Sequence, residues 1–134
     1  MGYSKKDLKN ILKNVTTIAM IGASSNPDRD SFKVMKYLIE KGYKVFPVNP
    51  NLIKNKILDI QCFSNLSSIP QKIDMVDIFR SKEFVMEITQ DAIKANVKVI
   101  WTQEGVIDKK SQDLAKNAGI VFVMDECPKK ILSN

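Results

Sequence analysis

Apolar residues fall into two arrangements that take turns along this chain: short unbroken runs, and sets recurring at helical spacing. The first suits a strand buried on both faces of a sheet, the second one side of a helix. Leu8, Ile11, Leu12 and Val15 form a helical set behind Ser4-Lys5-Lys6-Asp7, a capping box with Asp in place of Glu, so a short leading helix is predicted. Ile18 to Ile21 is the first strand. Phe32, Met35, Leu38 and Ile39 mark a helix that starts near Asp30 or Ser31 and that Gly42 closes. Tyr43 to Val48 is the second strand, and a right-handed crossover makes it parallel to the first.

Pro50 to Gln71 interrupts the pattern with scattered Pro, Asn and Ser, and its one apolar patch, Ile57 to Phe63, predicts a short edge strand. Ile73 to Phe79 is a strand ending at Arg80 and Ser81. Ser81 is expected to cap a helix with Phe84, Val85, Ile88, Ala92 and Ala95 on its inner side. Val97 to Trp101 is the next strand. Gly105 and Val106 turn the chain toward a helix capped by Asp108, with Leu114, Ala115 and Ala118 inward and Gly119 at its end. Ile120 to Met124 is the last strand, followed by Cys127-Pro128 and a short tail. Strand and helix alternate without an internal repeat, which predicts a single α/β domain over residues 1–134, doubly wound and Rossmann-like, with a mostly parallel sheet.

Ligands of such sheets bind beyond the carboxyl ends of the strands, where the winding reverses. That nominates Gly22 to Arg29, Asn49-Pro50, Phe79-Arg80, Thr102 to Val106 and Asp125 to Pro128. The stretch from Thr17 to Phe32 is the most informative. After Gly22 the side chains shrink to Ala23, Ser24 and Ser25, so an anion can approach the backbone and the open N–H groups of the following helix. Of the dinucleotide pattern G-x-G-x-x-G only the first glycine is present, with Ser24 and Pro27 at the other two places.

Composition narrows the chemistry. At 134 residues, 44% hydrophobic and 27% charged, the chain has the make-up of an ordinary one-domain protein. No apolar run approaches the ~18 residues of a membrane span, and the expected location is the cytoplasm. Cys62 and Cys127 are expected to be free thiols. The absence of histidine removes the commonest general base, metal ligand and nucleophile partner, so neither a catalytic set nor a metal site is expected. The net charge of +6 is spread over lysines with no long basic run, which describes a solvated surface rather than a nucleic-acid face. Among the 21 basic residues only Arg29 and Arg80 are arginine, and each lies just past a strand end, where a planar fork can grip phosphate. Trp101 and Phe79 are read first as core aromatics. Asp74 and Asp77 fall on opposite strand faces and are read as structural or end-of-strand polar groups.

At these strand ends, over nearly its whole length, the sequence resembles the CoA-binding domain family, small stand-alone bacterial proteins related to the N-terminal domain of the succinyl-CoA synthetase alpha subunit. The residues that carry the likeness are Gly22-Ala23-Ser24, Asn26-Pro27-Asp28-Arg29, Val48-Asn49-Pro50, Asp74 to Arg80, Trp101 to Val106, and Met124-Asp125 with Cys127-Pro128. The resemblance implies coenzyme A or an acyl-CoA lying across the sheet edge, its diphosphate over the Gly22 turn. Gly22, Ala23 and Ser24 would meet the diphosphate and Arg29 and Arg80 its charge. Asn49 and Pro50 would flank adenine or ribose, and Gln103, Glu104 and Gly105 would offer backbone and amide groups to adenine or pantetheine. Phe32 and Phe79 complete the candidate set. The thiol of Cys127 is read as inert rather than as the partner of a CoA disulfide. The synthetase also uses a second domain with a phosphorylated histidine, so the chain alone is not expected to be an enzyme. Two alternatives remain: an NAD(P)-dependent oxidoreductase, against which stands Asn49 where an acid would bind the ribose, and a nucleotide-responsive module acting through an unknown protein partner.

Overall fold

A computed structural model describes residues 2–133. Helix α1 (Lys5–Lys13) begins at Ser4, whose hydroxyl accepts the Asp7 N–H while the Asp7 carboxylate accepts the Ser4 N–H, the reciprocal box expected from the sequence. Strand β1 (Thr17–Ile21), helix α2 (Asp30–Glu40) and strand β2 (Lys44–Val48) follow as a right-handed parallel unit. Strands β3 (Lys56–Ile57) and β4 (Ile60–Gln61) form a separate antiparallel hairpin. Then come β5 (Met75–Ile78), α3 (Val85–Lys94), β6 (Val99–Thr102), α4 (Lys109–Asn117), β7 (Val121–Val123) and α5 (Pro128–Leu132).

Five strands make one parallel sheet in the order β2-β1-β5-β6-β7. Side-chain alternation divides the core in two. Ile18, Met20, Met75, Val99, Trp101 and Val123 pack on one face against α1, α2 and α5. Ala19, Val76, Ile78, Ile100 and Phe122 pack on the other against α3 and α4. Burial on both sides is why these strands read as continuous apolar runs.

Three local expectations need correcting. The patch from Ile57 to Phe63 holds no single edge strand: Leu58 and Asp59 adopt positive φ and turn the chain into the β3–β4 hairpin, and Phe63 alone bridges to Val48. Ser81 does not cap an α-helix. It precedes a 3₁₀ turn (Lys82–Phe84), and α3 starts one residue later, which leaves Phe84 exposed. Ala95 and Ala118 lie outside the core because their helices end at or before them. The tail contains α5, whose Pro128 occupies the first helical position and whose Ile131 is buried.

Candidate functional site

β1 and β5 are neighbours from which the chain leaves in opposite directions, β1 through α2 to β2 and β5 through α3 to β6. Their carboxyl ends part and leave a cavity of about 690 Å³. Gly22, Ala23, Ser24, Arg29, Asn49, Pro50, Phe79 and Arg80 all line it.

Gly22 has φ +92°. A Cβ there would drive into the Phe79 carbonyl oxygen and lie 2.9 Å from the Phe79 carbonyl carbon and 3.0 Å from Cδ of Arg80. The glycine therefore lets the β1 and β5 loops touch, and its close approach is made first to the chain itself. The N–H groups of Gly22 and Ala23 both donate to the Val48 carbonyl (3.0 and 3.2 Å), which ties the turn to β2.

The loop that follows is a series of small turns. Ser24 Oγ accepts the Asn26 N–H (3.0 Å), Asn26 Oδ1 accepts the Asp28 N–H (3.0 Å), and the Arg29 N–H donates to the Asn26 carbonyl (3.0 Å). These turns deliver Arg29 to the N-cap of α2, where its side chain caps nothing. The positive end of an eleven-residue helix thus borders the cavity through Arg29, Asp30 and Ser31. On the opposite side, Asn49 Nδ2 donates to the Ala23 carbonyl (2.9 Å) and its Oδ1 accepts the Asn51 N–H (2.9 Å). Asn49 is a clamp between two loops.

The Arg80 guanidinium carbon stands 3.9 Å from the centroid of the Phe84 ring. Neither Arg29 nor Arg80 belongs to an ion pair among the described residues. Carboxylates are present, however: Asp28 and Asp30 before and at the start of α2, and Glu87 and Asp91 on α3. Positive charge thus gathers at the Gly22, Arg29 and Arg80 side of the cavity and negative charge along α3.

Phe32, Gln103, Glu104 and Gly105 lie outside this lining. Phe32 is half-buried against the core on the α2 face. Gln103 donates its amide N–H to Asp77 Oδ1. Glu104 pairs with Lys130 at 2.7 Å, and the Gly105 N–H donates to Asp125 Oδ1 at 2.6 Å. Trp101 is fully buried, as expected of a core aromatic, with its indole N–H on the Glu126 carbonyl (2.9 Å). Cys62 is buried and Cys127 half-buried, both as free thiols. Burial pushes the Cys62 thiol up from its usual range. Among the described residues no cluster of His, Cys, Asp and Glu is grouped to hold a metal ion.

Sequence reasoning missed part of the wall. Phe84, just before α3, and Glu87, Ile88 and Asp91 on it form one stripe, with Ser64 and Asn65 facing the same space. Their helical spacing was a usable signal, overlooked because the apolar set Phe84, Val85, Ile88 and Ala92 occupies the same helix. Asp77 is no end-of-strand group: it is wholly buried, and desolvation pushes its carboxyl up to about 8 despite the Gln103 bond. Its Oδ2 has no hydrogen-bond partner among the described residues.

Comparison with known proteins completes the description. A family model described as a CoA binding domain matches residues 16–133. The uncharacterised protein YneT of Bacillus subtilis (strain 168) is 32% identical over 126 residues, covering 94% of this chain and 92% of YneT. The ADP-forming acetate–CoA ligase II of Archaeoglobus fulgidus is 30% identical over 130 residues, 88% of this chain but 19% of that enzyme. The chain thus corresponds to about a fifth of the ligase. Among solved structures, a hypothetical protein from Pyrococcus horikoshii OT3 superposes with a TM-score of 0.93 at 36% identity, covering 98% of this chain and 92% of that one.

Proposed function

The chain belongs to the CoA-binding domain family, and from that premise we propose that it binds coenzyme A or an acyl-CoA in the cavity between β1 and β5 and performs no chemistry alone. One observation carries the reading: the chain's two guanidiniums, neither of them in an ion pair among the described residues, line one cavity together with the Gly22–Ser24 turn. The diphosphate lies over that turn, its charge met by Arg29, Arg80 and the α2 dipole. One end of the ligand runs between Pro50 and the α3 wall, where Glu87 and Asp91 accept from hydroxyl or amine groups. The other end follows the carboxyl edge toward Gln103 to Gly105.

An NAD(P) site fits less well, because the end of β2 offers Asn49, already engaged with Ala23, where an acid would hold the ribose. No histidine is available to carry a phosphoryl group. Native mass spectrometry of the purified protein tests the reading, with a mass increment equal to CoA or an acyl-CoA expected. Retention of a dinucleotide in its place would overturn it. Acyl-CoAs incubated with the protein are expected to stay intact, and release of free thiol above a protein-free control would reveal a nucleophile.

A further inference from the structure

We propose that Phe84 is a positioning residue that holds Arg80 in its ligand-gripping orientation before a ligand arrives. The inference rests on the reading that Arg80 meets phosphate. Phe84 is 39% exposed although the chain around it offers an apolar core. The 3₁₀ turn from Lys82 to Phe84 delays α3 by three residues and leaves the ring exposed, where it lies under the Arg80 guanidinium at 3.9 Å. The Arg80 stem also runs close to Gly22, where a Cβ would come within 3.0 Å of its Cδ.

Arginine has many rotamers to lose when it grips a ligand. Stacking on a ring removes some of that freedom in the free protein. It also occupies only the flat face of the guanidinium, so the N–H edge stays open for an oxygen pair. No ion pair within 4 Å holds the fork among the described residues, and the carboxylate that feels its charge, Glu83 on the adjoining turn, is fully exposed to solvent. The alternative is that the ring touches the ligand directly.

Arg29 and Arg80 are the only arginines, so the arginine Nε–Hε region of an NMR spectrum holds two side-chain signals. In ligand-free protein the Arg80 signal is expected to be ordered and displaced by the ring current. Phe84→Leu is expected to abolish both properties and Phe84→Trp to restore them. An Arg80 signal indifferent to Phe84→Leu would overturn the proposal, whatever the ligand proves to be. Calorimetry with CoA adds the functional arm. Phe84→Leu is expected to weaken binding roughly two- to fivefold, the size of an exposed cation–π contact, with Phe84→Trp near the parent. In an Arg80→Ala background the same change is expected to do nothing, and an equal loss there would show that the ring touches ligand rather than positioning Arg80. If the parent fails to bind CoA, the functional reading falls while the NMR comparison still decides the clamp.

Discussion

Asp77→Asn probes the carboxyl buried in the middle of the sheet. In the folded chain burial disfavours its charge and pushes the carboxyl up to about 8, whereas in the unfolded chain it returns to its ordinary value of 3.8. Between those values the native state holds a proton that the unfolded state has released. Stability from Asp77 is therefore complete below about pH 4 and is lost as pH rises toward 8. The slope in that window is about 1.36 kcal/mol per pH unit, so roughly 2 kcal/mol disappears between about pH 5.5 and pH 7. The window is clean because the chain has no histidine, and burial moves the Cys62 thiol further above it. Asn keeps an acceptor for the Gln103 amide and cannot ionise. Urea denaturation at the two pH values is the assay. The parent is expected to lose stability over this interval and the Asn variant to stay level. A parent that is level too, or a variant that falls in parallel, would refute the assignment of the buried charge to Asp77.

Gly22→Ala is expected to destabilise by about 3 kcal/mol, since both its φ and the Phe79 carbonyl oppose a Cβ, while Gly105→Ala, which has positive φ but open space, costs about 1; urea midpoints compare them. Arg80→Lys is expected to weaken CoA binding by about 1 kcal/mol and Arg80→Ala by about 2, the latter with a shallower salt dependence, both read by titration. Asn49→Ala removes the bonds to Ala23 and Asn51, so unfolding free energy is expected to fall by about 1–2 kcal/mol, measured by urea denaturation.

The order of strands and helices was legible because each parallel strand is buried on both faces and so appears as an unbroken apolar run, as in Ile18 to Ile21. The order of the strands within the sheet was not legible, so every strand end was a candidate, and only the structure shows that eight of the twelve candidate residues share the cavity where β1 and β5 part. Short elements were not legible: the five residues of α5 and the paired dipeptides of the hairpin are below the length at which periodicity shows. Phe84 misled because an aromatic before a helix reads as core, and its true partner is Arg80 on the preceding loop. For Asp77 the structural alternative holds, but its full burial was not legible, because alternation sets a face and not depth and only the finished sheet shows β1 and β6 enclosing it. Gln103 to Gly105 were found as a strand-end turn, but their bonds to Asp77, Lys130 and Asp125 depend on contacts distant in sequence.

Isothermal titration of the protein with CoA, NAD and NADP tests the central proposal most directly. CoA is expected to bind with a heat that Arg80→Ala diminishes, and NAD and NADP to bind far more weakly. NAD binding as tight as CoA, or CoA producing no binding at low salt, would contradict it.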